Sequence, residues 1–113
     1  HNLGGNIPFE IDRMDHRNMC DTPTNELPSK KIKSAPVVVD CNSLSGRAIE
    51  LAVHVYGADK IVFGSDGTDF GMNWTNNAIN EARITDAEKQ AIRDGNARRL
   101  LARVNSRTAA AAE

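Results

Sequence analysis

Aromatic residues are scarce in this chain, whose 113 residues include three Phe, one Tyr and one Trp. So few large rings are lean for a self-contained hydrophobic core, because aromatic side chains bury the largest apolar areas. Two cysteines are too few for a disulfide framework, which favours a reducing compartment such as the cytoplasm. No apolar run approaches the roughly 18–20 residues that cross a bilayer. These scarcities argue against a disulfide-stapled secreted domain and against a membrane-spanning protein.

The chain also lacks an excess of positively or negatively charged residues. Fourteen Lys and Arg stand against fifteen Asp and Glu, which leaves a formal charge of −1. This balance argues against a basic nucleic-acid footprint and against a polybasic membrane surface. Hydrophobic residues at 40% and charged residues at 26% are typical of a globular domain. The chain opens on His1 rather than on Met, and we therefore expect it to be a piece of a longer protein.

Two short β-branched runs, 36–40 and 60–66, predict buried strands. Each run is continuously apolar and ends on an aspartate, which is typical of strands covered on both faces in a parallel sheet. Apolar residues at spacings of three and four predict a helix over 44–55 between them, ended by Gly57. We expect Asn42 or Ser43 to cap this helix. Strand, helix and strand together form a βαβ unit.

The flanking segments predict further helices. Pro8 suits the first position of a helix that continues to Met19. Residues 21–35 are mostly polar and predict a loop, and a second loop is expected between the second strand and Thr85.

The last third of the chain predicts two helices and a tail. Thr85 and Glu88 have the spacing of a capping box, which predicts that a helix begins there. We expect Gly95 to end this helix and Asn96 to cap the final one. Residues 105–113, which end in an alanine run, are expected to form a frayed tail.

Three polar residues stand where strands are expected to end. His1 precedes a Gly-Gly turn, while Asp40 and Asp66 close the two predicted strands. With about 30–40 residues per strand–helix step, the order of elements indicates an α/β barrel or an open parallel sheet. In a barrel the three side chains would share one mouth, where a histidine and two carboxylates could bind a metal and move protons. Alternatively, each aspartate merely caps the loop or helix that follows it.

Three segments resemble the amidohydrolase-2 branch of the amidohydrolase superfamily. Residues 1–9, followed by Arg13 and His16, resemble its His-Gly-Gly…Pro-(Phe/Tyr)…Arg segment. Residues 61–66 resemble its last barrel strand, which ends in Gly-(Ser/Thr)-Asp, and residues 88–101 resemble its closing helix pair. This branch includes aminocarboxymuconate-semialdehyde decarboxylase, resorcylate-type decarboxylases, and hydrolases and hydratases of ring-cleavage products.

The resemblance implies the fold and the extent of the domain. Residues 1–113 would be the C-terminal part of a (β/α)8 TIM barrel of roughly 250 residues or more. They would run from the end of strand six through strand eight to the closing helices, within a single metal-dependent hydrolase domain.

The resemblance also implies roles for individual residues. Asp66 would bind a divalent metal, zinc or manganese, and accept a proton from metal-bound water. His1 would polarise the substrate or shuttle a proton. Arg13 would clamp a substrate carboxylate through its guanidinium fork. His16 matches a recurrent family position that is either structural or substrate-facing, and Asp40 is a further candidate for substrate binding.

We therefore predict part of a metal-dependent hydrolase, decarboxylase or hydratase that acts on a carboxylated aromatic or ring-cleavage compound. Its expected partners are that small molecule, the remainder of the barrel and, in the complete enzyme, a second copy forming a dimer. The strand-one His-x-His pair and the strand-five histidine are absent from these residues, so the 113-residue chain alone should be inactive. The alternative is a non-catalytic truncated product or interaction subunit that keeps the family's packing.

Overall fold

A pair of parallel strands organises the chain. In a computed structural model, which describes residues 1–43, 45–67 and 69–110 and the side chains as far as residue 106, β1 is Val39–Asp40 and β2 is Ile61–Val62. Val39 pairs with Ile61 and Asp40 with Val62, and the amide of Cys41 extends the ladder to the carbonyl of Val62. The predicted parallel βαβ unit is therefore confirmed, with regular strands shorter than the apolar runs.

Helices make up most of the rest. In chain order they are α1 (Ile7–Asp21), α2 (Pro28–Ser34), α3 (Gly46–Tyr56), α4 (Met72–Glu81), α5 (Asp86–Gln90) and α6 (Asn96–Ala110). Short 3-10 turns cover Asn2–Gly4 and Ala58–Lys60, and a π-helical turn, Ala91–Gly95, joins α5 to α6. The class is α/β with a helical majority.

One side of the strand pair is packed against helices. Ile61 of β2, Ile49 of α3, Ile79 of α4 and Ile92 of the π-helical turn are all fully buried. β-Branched side chains on the strands and apolar residues three and four apart on the helices produce this core, because both patterns gather apolar groups on one face. At about 25 cal/mol per Å² of buried apolar surface, such contacts are the main source of stability.

The other parts of the sheet region are far less covered. Val37 and Val38, just before β1, remain 41% and 39% exposed, and Leu101 of α6 is 63% exposed. The radius of gyration is 16.0 Å, whereas a compact chain of this length has about 13 Å. Val39 and Ile61 point to the packed face and are buried, whereas Val38, Asp40 and Val62, which alternate with them, are only partly covered, so the described residues leave this second face the more open one.

Several predicted boundaries are wrong. Residues 21–35 are not wholly a loop, because Pro28 occupies the first position of α2, where its missing N–H costs nothing. The expected loop before Thr85 contains α4, which begins after Gly71. Ser45, rather than Asn42 or Ser43, is the N-cap of α3, and Leu44 lies outside the described residues. His1 precedes a 3-10 turn, and its place at the end of a strand stays a prediction.

The predicted break between the last two helices is also wrong. Asn96 has helical backbone angles, and the chain passes from α5 through the π-helical turn into α6 without a cap. The buried Asn96 amide donates instead to the carbonyls of Ala58 and Ile61, at 2.7 Å each. A tertiary partner for the side chain therefore replaces the local capping role. Residues 105–110 are helical and residues 111–113 lie outside the described part, so the frayed tail stays a prediction.

Three other sequence features have a clear outcome. The capping box is confirmed, since Thr85 accepts from the Glu88 amide while Glu88 accepts from the Thr85 amide. Gly57 ends α3 with a φ of 92°. Both cysteines are unpaired, with Cys20 exposed and Cys41 buried. Within the described ranges no helix is both long and apolar enough to cross a membrane.

Candidate functional site

The end of β1 is joined to the first residues of the chain through the carboxylate of Asp40. Its Oδ1 accepts from the backbone amides of Asn2 and Asn42, each at 3.0 Å. Its Oδ2 lies 3.1 Å from the backbone nitrogen of His1, the α-amino group. Asp40 therefore lies beside the backbone of His1 and Asn2, and the predicted convergence of the His1, Asp40 and Asp66 side chains stays a prediction.

The pKa of Asp40 is lowered by these donors. Burial acts on this carboxyl most strongly and raises its pKa, but the amides of Asn42 and Asn2 and the α-amino group outweigh it together. Asp40 is thus held as a carboxylate at neutral pH, with both oxygens already engaged.

Residues 2–5 form an unusual left-handed turn beside Asp40. Asn2 and Leu3 have φ angles of 56° and 54°, and Gly4 and Gly5 have φ angles of 77° and 67°. Left-handed backbone is costly for a residue with a Cβ, so the surroundings of Asn2 and Leu3 must hold it. Leu3 is buried, and its carbonyl accepts a 3.0 Å hydrogen bond from the Tyr56 hydroxyl.

Asp66 lies at the end of the segment that follows β2. Its φ of 47° places it in the left-handed region, and its carbonyl accepts from the amides of Asp69 and Phe70. The side chain is half-buried, and within the described residues it has no hydrogen-bond or ion-pair partner. A carboxylate without a partner is available as a ligand for a cation.

Gly64 brings the two strand ends close to each other. A Cβ on Gly64 would lie 2.7 Å from the Cβ of Asp40, so both positions face the same side and only glycine fits. The carbonyl of Gly64 accepts a 3.1 Å hydrogen bond from Thr75, a fully buried residue of α4. The chain leading to Asp66 is therefore held between β1 and α4.

Arg13 and His16 stand apart from the strand ends. Both side chains are exposed on α1. Arg13 also lines a groove of 530 Å³ whose other walls come from α1, from Thr22 and from Pro28. His1, Asp40 and Asp66 do not line this groove. A substrate role for Arg13 or His16 stays a prediction.

The described residues do not form a complete metal site. No group of three or more His, Cys, Asp or Glu side chains converges in the described part of the chain. A catalytic zinc site has three protein ligands, and Asp66 offers one carboxylate. A divalent metal fits this chain only if other residues complete its coordination.

Sequence reasoning missed the roles that four residues have in shaping this region. Thr75, Tyr56 and Gly64 make the contacts described above, and their partners are 11 to 53 residues away or on another strand. Asn42 is 5% exposed, and its Oδ1 has no hydrogen-bond partner in the described structure. Gly64 carried the one available signal, because a glycine inside a strand pattern often marks a close backbone approach.

Comparison with known proteins gives matches only among solved structures. No protein-family model and no curated protein matches the chain. IDCase from Metarhizium anisopliae, solved in apo form, matches with a TM-score of 0.75 and 23% identity, covering 88% of this chain and 32% of its own. A 2,6-dihydroxybenzoate decarboxylase complexed with 2,6-dihydroxybenzoate gives 0.70 and 24%, with the same coverage of 88% and 32%.

A third structure carries a metal. It is a dihydroxybenzoic acid decarboxylase from Polaromonas sp. JS666 with bound manganese and the inhibitor 2-nitroresorcinol, and it matches with a TM-score of 0.70 at 22% identity. It covers 88% of this chain and 31% of its own. The chain has the fold of part of these decarboxylases. The resemblance to the amidohydrolase-2 branch is thereby confirmed for the fold.

The matched region is most of this chain but a smaller part of each solved structure. Almost all of this chain is covered, whereas the chain spans about a third of the length of the solved structures that it matches.

Proposed function

We propose that this chain is the strand-six to strand-eight part of a (β/α)8 barrel that decarboxylates a carboxylated aromatic compound. The observation that carries the proposal is the fold match over 88% of the chain, which recurs in several decarboxylases. Hydrolysis and hydration, which the sequence leaves open, have no counterpart among these neighbours. The remainder of the barrel would cover the more open side of the strand pair, where Val38 is exposed.

The strand ends supply suitable groups for this reaction. In a decarboxylation the bond between the ring carbon and the carboxyl carbon breaks, CO₂ leaves, and the ring carbon takes a proton. Histidine is the side chain that most often transfers protons near neutral pH, and His1 precedes the turn beside the end of β1. Asp66 can hold a proton or a cation because its carboxylate has no partner in the described part of the chain.

A divalent metal, manganese or zinc, belongs to the same proposal. Asp66 would contribute one ligand, and the other ligands would come from residues outside these 113. When bound, such a metal stabilises negative charge on substrate oxygens as a Lewis acid. Bound manganese in one neighbour supports the choice of a divalent ion. A dimer of the complete enzyme and a substrate-carboxylate role for Arg13 are also parts of the proposal.

The test is a decarboxylation assay on the full-length protein with 2,6-dihydroxybenzoate and related ring acids, with manganese or zinc added. We expect CO₂ release that a chelator abolishes. Asp66→Asn should lower the activity by at least about 100-fold and reduce the metal content after dialysis, because an amide is a poorer ligand than a carboxylate. The 113-residue chain alone should show neither activity nor stoichiometric metal.

Asp69→Asn is the matched control, since it makes the same change on an exposed side chain three residues later in the same loop. It should keep wild-type activity and metal content. Failure to decarboxylate any carboxylated aromatic would overturn the proposed reaction. Wild-type metal content and activity in Asp66→Asn would overturn the role of Asp66.

A further inference from the structure

We propose that Asp40 and Tyr56 are positioning residues that hold the left-handed turn after His1, and that Asp40 is not a substrate ligand. The inference rests on the proposed function, since it gives the turn the task of placing His1 at the active end of the barrel. It replaces the substrate-binding role that the position of Asp40 at a strand end suggests.

The first support is the set of partners around Asp40. Three backbone nitrogens, those of His1, Asn2 and Asn42, lie within 3.0–3.1 Å of its two oxygens. The amides of Asn2 and Asn42 belong to different segments, so the carboxylate ties the turn to the end of β1. In a longer chain the nitrogen of His1 would be an amide, which also donates. The two amides on Oδ1 orient the carboxylate toward the backbone of the turn and of β1, which is the placement of a structural anchor.

The second support is the backbone of the turn itself. Four successive residues, 2–5, have positive φ angles, and Asn2 and Leu3 adopt them despite carrying a Cβ. Such a conformation persists only where the surroundings impose it. The turn directly follows His1, so its shape determines where the His1 side chain starts. Strain of this kind is common where a reacting group must be held in one position.

The third support is a separate anchor from α3. The Tyr56 hydroxyl is buried and donates to the carbonyl of Leu3 at 3.0 Å. The same hydroxyl would lie 2.5 Å from a Cβ on Gly4, so the glycine is required for the ring to approach. Asp40 therefore holds the nitrogen side of the turn, while Tyr56 holds a carbonyl one residue further on.

The test combines kinetics and hydrogen exchange on the full-length protein. Asp40→Ala should lower kcat by about 10- to 100-fold while KM changes less than about twofold, because a displaced His1 impairs the reaction rather than binding. Asp40→Asn should recover part of kcat, since its amide oxygen still accepts from Asn2 and Asn42. Tyr56→Phe should have a smaller effect of the same kind.

A double-variant cycle links these effects to His1. If Asp40 acts through His1, the pair His1→Ala and Asp40→Ala together should be no slower than His1→Ala alone. A rise in KM with unchanged kcat in Asp40→Ala, or effects that multiply in the double variant, would overturn the inference. Asp86→Ala removes an exposed carboxylate from α5 and is the matched control, with kinetics expected to match the wild type.

Hydrogen exchange separates this inference from the proposed function. Asp40→Ala and Tyr56→Phe should each increase amide exchange in residues 2–5 by at least about tenfold, whatever the reaction is. Unchanged exchange in both variants would overturn the inference even in an active enzyme. Full activity of His1→Ala would overturn the proposed function of His1 and the purpose assigned to the turn, whereas the exchange result would still decide whether the two residues hold it.

Discussion

The helix-covered side of the strand pair and the ends of the strands are built in different ways. On the covered side, Ile49, Ile61, Ile79 and Ile92 pack with no exposure. At the strand ends, the contacts are mainly hydrogen bonds of Asp40 and a close approach at Gly64. The first region is stabilised by apolar area, whereas the second depends on a few directional contacts. The difference teaches that apolar burial and directional polar contacts are concentrated in separate parts of this fold.

The two regions also differ in whether their buried polar groups have hydrogen-bond partners. On the covered side, the buried Asn96 amide donates to the carbonyls of Ala58 and Ile61. Beside the end of β1, Asn42 Oδ1 and Ser43 Oγ are buried, and neither has a partner among the described residues. A buried polar atom without a partner is costly, so native structures usually keep one where function or a further contact uses it. Ordered water or a further polar group would satisfy these two atoms.

The largest effect should come from the covered side. Ile49→Ala should lower the free energy of unfolding by about 2–5 kcal/mol, because it removes buried methylenes and leaves a cavity. Urea unfolding followed by circular dichroism measures the change. Val38→Ala is the control on the open side, where the side chain is 39% exposed, and should cost less than about 1 kcal/mol. Equal losses at the two positions would contradict the contrast between the sides.

The Val38→Ala variant gives a second comparison in the full-length protein, where the rest of the barrel is present. If additional strands cover Val38 in the full-length protein, the cost of Val38→Ala should rise to about 2 kcal/mol, since its methyl groups would then be buried. A cost that stays small there would show that this side remains open.

A smaller effect is expected where the strand ends meet. Gly64→Ala should destabilise the fold by about 1–3 kcal/mol, because the new Cβ would lie 2.7 Å from the Cβ of Asp40 and the strands would have to separate. Gly67→Ala is the control, since its nearest neighbour is Ser65 Oγ at 3.4 Å. Thermal unfolding of the two variants gives the comparison, and an equally stable Gly64→Ala would show that the strand ends are not tightly packed.

The smallest effect should come from the local capping box of α5. Thr85→Ala should cost about 1 kcal/mol by removing the hydroxyl that accepts from the Glu88 amide. Hydrogen bonds from the Thr85 amide and hydroxyl lower the pKa of Glu88 in the folded state. The contribution of Glu88 is therefore complete above the ordinary glutamate pKa of about 4.3 and is lost as the pH falls through the lowered value.

The control for this pH dependence is the variant itself. Urea midpoints between pH 3 and pH 6 should fall less steeply on the acid side for Thr85→Ala than for the wild type. Parallel pH profiles would mean that the capping box does not contribute to the difference.

Local patterns in the sequence predicted much of the secondary structure. The β-branched runs predicted two parallel strands, the apolar spacing predicted α3, and Thr85 with Glu88 predicted the start of α5. α4 was missed, because it is rich in polar residues and its buried side is set by Thr75, Ala78 and Ile79. Asn96 was predicted as a cap, because a capping asparagine and a buried one look the same in sequence until their partners are known.

The candidate site shows the same division. His1, Asp40 and Asp66 could be selected from the sequence, because polar residues at the ends of apolar runs point to one edge of a parallel sheet. The partners of Asp40, the left-handed turn of residues 2–5 and the anchor from Tyr56 could not be predicted. Each of these depends on segments that are distant in sequence, and a local pattern carries no information about which distant group will be adjacent.

The sequence by itself determined the composition, including the scarcity of aromatic residues, and the local patterns of the chain. Composition and periodicity set the class, the parallel strand pair and the polar residues at its ends, because these follow from propensities and spacings within a few residues. Only the tertiary structure decided that one side of the strands is packed and the other open, and that the Asp40 carboxylate accepts from backbone nitrogens. Burial and hydrogen-bond partners are properties of the assembled chain, and they arise only when distant segments meet.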